Sequence, residues 1–380
     1  GIEVAPLMMP LSNRVYSYSA MAKESVHGLP GLLADSLPDR FGNALIDAWL
    51  ARQGRDSNSF NAVERLCYTG SRGMGALEFV PATGPQPTHD SLLHVDRLVK
   101  LASEILSHRD NLQTNFSEDV SAEAMSEILR VGTSAGGARA KAVIAWNPKT
   151  NEVRSGQMNA DKGFEYWLIK FDGVSNNRDK EFADPKGYGV IEYAYSKMAT
   201  DCGITMSDCR LFEEGGRRHF MTRRFDRLAQ GGKLHMQSLA AMAHLDFNQA
   251  GAHSYEQAFD TMRRLDLPTS ATAEVYRRMV FNIVARNQDD HVKNIAFLMD
   301  RSGNWSLTPA FDMIYSYQPG GNWTSSHQMT VNDKRDNFML EDLLACGKTT
   351  LLKRGQAKTI INEVRQVVSR WRDYADQAGV

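Results

Sequence analysis

The sequence predicts an α+β protein in two parts, a β-rich N-terminal lobe over residues 1–228 and a mainly helical C-terminal lobe over residues 229–380. Three observations predict it. Between Val131 and Asp226 short apolar runs are separated by turn residues, the pattern of strands with buried faces. After "GGKLHM" the apolar residues recur at helical spacing. With 380 residues, 42% of them hydrophobic, the chain is long enough to bury more than one core.

Taken in order, Leu29 to about Leu106 reads as mostly helical, in "LPGLLADSLPDRFGNALIDAWLARQG" and "SLLHVDRLVKLASEILS", broken by the glycine-rich "TGSRGMGALEFVPATGPQP". Residues 1–110 are expected to form a leading subdomain. Residues 111–228 follow as a small antiparallel sheet with one helix. The pieces are "KAVIAW", a turn at "NPKTN", "EYWLIKF", a helix around "GVIEYAYSKMATDCG", "CRLFEE", a turn at "GG", and "HFMTRRF". In the second part "SYEQAFDTMRRLDL" and "TAEVYRRMVFNIVARNQ" read as helices, interrupted by the strand-like "NIAFLM" and "WSLTPAFDMIYS".

The net charge of -1 argues against whole-surface attraction to nucleic acid and leaves room only for a local basic patch. The four cysteines, Cys67, Cys202, Cys209 and Cys346, form no C-x-x-C pair, as expected for reduced thiols in a cytoplasm. The opening "GIEVAPLMMPLSNRV" has no basic-then-apolar leader, and no apolar run approaches the roughly 18 residues of a membrane span. A soluble, cytoplasmic protein without a membrane partner is expected.

The stretch "VARNQDDHVKNIAFLM" concentrates polar groups against a core strand. Asp289 and Asn294 are separated by four residues, the spacing of the catalytic loop of protein kinases, where Asp orients the substrate hydroxyl and Asn holds a metal ion. Alone the spacing is weak, since a polar loop solvating a helix end would look the same. Asp312, eighteen residues beyond Asn294, sits in "LTPAFDMIYS" between Phe311 and the pair Met313 and Ile314, where burying an isolated carboxylate is costly unless a cation accompanies it. Mg²⁺ meets that need, because it takes the oxygen donors that an Asn and an Asp supply. In "EYWLIKF" alternation places Tyr166, Leu168 and Lys170 on one face, so Lys170 shares apolar surroundings and calls for an anion. That anion is a nucleotide phosphate, with Glu192 on the following helix as a further partner, unless the lysine snorkels to water. Upstream, "VGTSAGGARAKAVIAW" puts small residues before a strand, as a loop would whose N–H groups approach phosphates. It is neither G-x-G-x-x-G nor a Walker sequence, and a flexible connector is the competing reading.

In their order these segments resemble the HipA family of bacterial serine/threonine kinases, the toxin halves of toxin–antitoxin pairs. "TSAGGARAK" resembles the family's S-x-G-G-A-x-x-K loop, "WLIKF" its lysine strand, "RRFDR" its E-R-F-D-R segment, "DDHVKN" its D-x-H-x-K-N catalytic loop and "LTPAFDMI" its metal-binding segment. "LPGLLADSLPDRFGNALI" resembles the coupling region ahead of the kinase core. The resemblance implies a two-lobed protein-kinase-like fold with ATP and Mg²⁺ as cofactors. It implies Asp289 as the base, Asn294 and Asp312 on Mg²⁺, Lys170 on the ATP phosphates, and the main chain of Arg223, Arg224 and Phe225 around adenine. Gly136, Gly137, Ala138, Arg139 and Lys141 would lie over the phosphates, His291 and Lys293 would complete the catalytic loop, and Phe311 would accompany Asp312. Ser134 falls where the family carries its autophosphorylated serine, and the added charge would expel the loop from the nucleotide site. The implied partners are a HipB-type helix-turn-helix antitoxin, operator DNA through that antitoxin, and a protein substrate of the aminoacyl-tRNA synthetase class.

Two departures stand out. The hinge Glu of the family is Arg223 here, and the small β subdomain that usually opens the family is represented only by a fragment such as "MMPLSNRVYSY". Two other functions compete. A small-molecule phosphotransferase of the aminoglycoside-kinase type shares the Asp-to-Asn spacing, and the Ser134 loop argues against it. A non-catalytic corepressor acting through its antitoxin would predict damage to Lys170, Asp289 or Asp312, and all three are present. Finally, Lys353 and Arg354, clustered with Lys348 and Lys358, are candidates for contact with operator backbone, or form a solvated helix face.

Overall fold

The computed structural model of the chain describes residues 1–85, 92–107, 122–132, 139–157, 162–174, 186–228 and 232–380. The first strand pair shows how local chemistry sets the register. β1 (Lys141–Trp146) and β2 (Val153–Ser155) are joined by a turn in which the Asn147 side-chain oxygen accepts the N–H of Lys149 at 3.0 Å. Asn151 takes the left-handed conformation that Asn tolerates, with φ 58°, and its side chain accepts the Trp146 indole N–H at 2.9 Å. β3 (Glu165–Lys170), β4 (Cys209–Glu214) and β5 (Arg217–Arg223) complete an antiparallel sheet in the order β2-β1-β3-β5-β4. Gly215 and Gly216 turn β4 into β5 with φ 58° and 73°, backbone that a two-residue hairpin requires.

Period-two alternation sends Trp167, Ile169 and Phe171 into a core with Ala142, Ile144 and Met221. Helices Arg40–Arg52 and Val95–Ser107 bring Phe41, Leu45, Leu98 and Val99 to the same cluster. Each such side chain, fully removed from water, contributes about 2 kcal/mol. In the same sheet His219 lies buried in β5, and its Nδ1 accepts the Asp172 N–H at 2.9 Å. Burial, helped by the charge of Arg217, pulls the His219 imidazole down to about 4.

The described chain forms two compact units. One comprises Ser36–Val190 and Asp208–Leu234 and contains this sheet; the other comprises Gly1–Asp35, Ile191–Ser207 and His235–Val380. The latter carries β6 (His235–Ser238), β7 (His253–Ser254), β8 (Ala296–Met299), β9 (Trp305–Leu307) and β10 (Met329–Thr330). β6, β8 and β9 make an antiparallel sheet in that order, and β7 pairs with β10 in parallel. Helix Tyr255–Arg264 starts at a reciprocal cap: Ser254 Oγ accepts the Gln257 N–H at 3.1 Å, and Gln257 accepts the Ser254 N–H at 3.0 Å. Helix Thr269–Val284 buries Val275, Tyr276, Met279, Val280 and Phe281. It stops where Arg286 turns left-handed at φ 58° and the Asn287 N–H returns to the Asn282 carbonyl at 2.9 Å. That stop delivers the chain into residues 287–294.

The strand expected across "WSLTPAFDMIYS" holds only for Trp305–Leu307. Pro309 has no N–H to give a ladder, and Asp312 stands at φ 53°, which no strand accommodates. The four cysteines are free thiols, Cys202 and Cys346 among the buried residues. Among the described residues no helix is long and apolar enough to cross a membrane.

Candidate functional site

Asp289 and Asp290 are adjacent in sequence and differ in environment. Asp290 is buried, and its carboxylate accepts the Tyr255 hydroxyl at 2.9 Å and the Gln328 N–H at 2.8 Å, with His327 Nδ1 at 2.9 Å. Asn282 in turn donates to the Tyr255 oxygen at 3.0 Å. Burial, with the Asp290 charge beside it, holds the Tyr255 phenol well above its ordinary value, so it stays a donor. Asp289 is the open acid, with 43% of its side chain exposed. Its carbonyl accepts the Asn294 amide N–H at 2.8 Å, and its Oδ1 accepts the Trp323 indole N–H at 2.6 Å.

Asn294 and Asp312 line one cavity, together with Asn287, Asp290 and Phe311. Asn294 gives its amide N–H to the Asp289 carbonyl, so its amide oxygen is the atom it can offer a cation. Asp312 is half-buried between Phe311 and the buried Met313 and Ile314. Its left-handed backbone, a conformation costing on the order of 1 kcal/mol for such a residue, is held by Asn287, whose amide donates to the Asp312 carbonyl at 3.2 Å. Hard oxygen donors on one small cavity fit Mg²⁺, which completes its shell with water and phosphate oxygens. Among the described residues no group of three or more His, Cys, Asp or Glu is placed to hold a metal ion, so the protein would supply only part of such a shell. His291 places Nε2 at 4.0 Å from Asp289 Oδ1, beyond hydrogen-bond reach, and its ring lies 5.9 Å from that of Phe247. Lys293 Nζ sits 4.6 Å from the same Phe247 ring.

In the sheet-bearing unit Lys141 and Lys170 are both buried and occupy directly opposed positions on β1 and β3. Opposed residues of an antiparallel pair share a face with Cβ atoms about 5 Å apart, and like charges there repel. Lys170 Nζ also lies 5.7 Å from the Phe220 ring. Arg139 is buried, with its guanidinium 4.9 Å from the Tyr188 ring. The N–H of Arg223 donates to the Asp208 carbonyl at 2.8 Å and that of Arg224 to the Tyr166 carbonyl at 2.9 Å. The Arg223 side chain is exposed and lies 3.4 Å from Asp208 and 3.9 Å from Glu165. Arg224 pairs through two nitrogens with the buried Asp226 at 2.9 and 2.6 Å, and Phe225 between them is half-buried. Burial pushes the Asp226 carboxyl up, but Arg224 and Arg227 outweigh it and hold it below its ordinary value. Glu192 is buried on helix Tyr188–Asp201. Ser134, Gly136, Gly137 and Ala138 lie outside the described residues. Lys353 and Arg354 are exposed in the turn before helix Gln356–Val368, as are Lys348 and Lys358 nearby.

Residues 133–371 match the family model of the HipA-like C-terminal domain, and residues 1–80 that of the HipA N-terminal domain. The chain belongs to the HipA family. The second match spans the "MMPLSNRVYSY" fragment and the coupling region, so the family's N-terminal domain is represented here too. Among solved structures, a chain of the Shewanella oneidensis MR-1 toxin–antitoxin complex of HipA, HipB and operator DNA is similar in fold. The TM-score is 0.66 at 15% identity, covering 98% of this chain and 83% of that one. The Helicobacter pylori proinflammatory kinase CtkA gives a TM-score of 0.35 at 12% identity over 56% of this chain and 90% of that one, too slight a likeness to bear on mechanism. The comparison with curated proteins found no match.

Trp323, Asp290, Asn287 and Phe247 were not expected at the site from the sequence. A lone tryptophan in the glycine- and serine-bearing "PGGNWTSSH" is the one signal that pointed to Trp323, since large aromatic side chains in polar loops usually find a partner.

Proposed function

We propose that this HipA-family protein is an ATP- and Mg²⁺-dependent serine/threonine-protein kinase acting as the toxin of a HipA/HipB-type pair. The observation that carries the reading is an exposed, anchored Asp289 beside a cavity onto which Asn294 and Asp312 converge. In the reaction a serine or threonine oxygen bonds to the γ-phosphorus of ATP while the bond from that phosphorus to the ADP oxygen breaks. The hydroxyl proton passes to Asp289, which also orients the hydroxyl. Asn294 and Asp312 would hold Mg²⁺, which would supply positive charge to offset the phosphate oxygens. His291 and Lys293 brace the loop around Phe247. Lys141 and Lys170, opposed on neighbouring strands, and Arg139 are the phosphate contacts that the family resemblance assigns. The family resemblance assigns nucleotide contacts to the main chain of Arg223, Arg224 and Phe225, to Phe311 and to Gly136, Gly137 and Ala138, the last three outside the described residues.

Ser134 is the self-inactivation site in this reading, because a phosphate there adds about two negative charges beside the nucleotide's own. A HipB-type antitoxin and, through it, operator DNA are the partners; the Shewanella HipA is found in a complex with HipB and its operator DNA. The substrate class is an aminoacyl-tRNA synthetase. The test is incubation of the purified chain with Mg²⁺ and γ-labelled ATP, with and without lysate, followed by mass spectrometry. Label on a serine or threonine of a lysate protein, and on Ser134, is the expected result. Label confined to small molecules would turn the reading to a small-molecule phosphotransferase, and nucleotide binding without any transfer would leave the corepressor.

A further inference from the structure

Asp289 has two carboxylate oxygens, and proton acceptance from a substrate hydroxyl uses one. The other is taken: Trp323 Nε1–H donates to Oδ1 at 2.6 Å, a short hydrogen bond to a charged acceptor. An indole N–H only donates, so it can aim and support the carboxylate without competing for the proton. Trp323 belongs to an irregular segment, and its place is set from the buried side. The Gln328 side-chain amide donates to the Trp323 carbonyl and, at 3.2 Å, to the Ser326 carbonyl, while the Gln328 N–H donates to Asp290 Oδ1 at 2.8 Å. His327 reaches the other Asp290 oxygen at 2.9 Å. The buried acid thus anchors the segment whose tryptophan holds the open acid next to it.

We propose that Trp323 is a positioning residue for phosphoryl transfer, fixing Asp289 Oδ1 so that Oδ2 faces the incoming hydroxyl, and that Asp290 sets Trp323 through Gln328 and His327. The inference rests on the kinase reading and adds to it a residue outside the catalytic loop and the metal segment. Its opposite is also chemically definite: if the indole merely occupied Asp289, removing its N–H would speed transfer.

The experiment compares wild type, Trp323→Phe and Trp323→His in transfer from Mg-ATP to protein, with nucleotide affinity and thermal midpoint measured on each. Phenylalanine keeps a ring and loses the donor, whereas histidine restores an N–H. The expected result is a kcat lower by roughly tenfold to a hundredfold in Trp323→Phe, the worth of one hydrogen bond to a charged group. KM for ATP should stay within about twofold and the midpoint near wild type, with partial recovery of kcat in Trp323→His. Equal or faster transfer by Trp323→Phe overturns the inference and leaves the kinase reading standing. A loss of nucleotide affinity or of folding in parallel with kcat also overturns it, as a structural role. Wild type that transfers no phosphate sinks both. Gln328→Met, which releases the Trp323 carbonyl without touching Asp289, should show the same fall in kcat to a smaller extent, and an unchanged kcat there overturns the anchoring step.

Discussion

Residues 287–294 and the strand pair β1–β3 each bring like charges together, Asp289 with Asp290 in one and Lys141 with Lys170 in the other, and they treat them in opposite ways. The acids are separated by environment: Asp290 is buried among three partners while Asp289 stays open with a single indole on Oδ1. The lysines are kept together, on opposed positions of one sheet face. Splitting a charged pair ties one member into the fold and leaves the other open. The lysine pair instead stays on one buried sheet face.

The sharpest way to break this contrast is to exchange the roles of the acids. Asp289→Asn should lower transfer about a thousandfold, the scale of a lost general base, with nucleotide affinity within about twofold and stability unchanged. Asp290→Asn should instead cost stability, about 3 kcal/mol by urea denaturation, because buried donors lose a charged acceptor. Full activity in the first variant, or wild-type stability in the second, would mean that the two aspartates are misassigned.

On the same sheet, His219 of β5 offers a further test, since its imidazole is buried and its titration is pulled down. Its imidazole titrates near 4 in the folded state against an ordinary 6.5. Between those values the unfolded chain binds the extra proton, so stability falls as pH drops from about 6.5 to 4, by up to about 3 kcal/mol. Chemical denaturation at several pH values should show this slope in wild type and lose it in His219→Gln. Lys170→Met should weaken ATP binding about tenfold by calorimetry, and unchanged affinity would remove Lys170 from the nucleotide site. The smallest effect concerns the exposed Lys353 and Arg354. Replacing both by Ala should flatten the salt dependence of DNA binding by the antitoxin complex by about two ion equivalents, and an unchanged slope would return them to a solvated face.

How legible each region was follows from its geometry. Lys170 was readable because strand alternation is a local rule: Trp167 and Ile169 face the core and Lys170 does not follow them. Asp289, Asn294 and Asp312 stood out because oxygen donors against apolar runs are costly without a ligand, and the structure brings Asn294 and Asp312 to one cavity. Which of the adjacent aspartates stays open was not readable, since their difference is made by Tyr255, His327 and Gln328, each more than thirty residues away. The Trp323 contact spans 34 residues and rides on irregular backbone, where no periodicity speaks. The same limit explains the strand that stops at Leu307, because the left-handed Asp312 is held by a side chain from the end of another helix. Each compact unit also draws on non-consecutive stretches, which linear patterning does not convey.

The opposed lysines carry a consequence for turnover. In the proposed reaction, lysines at the phosphates would hold a triphosphate more tightly than the diphosphate left after transfer, since the attraction grows with the charge of the guest. The spent nucleotide would then be the weaker guest, open to displacement by fresh ATP. Ionic strength becomes a throttle on that exchange, because added salt weakens the charged grip on both nucleotides, and on the triphosphate more.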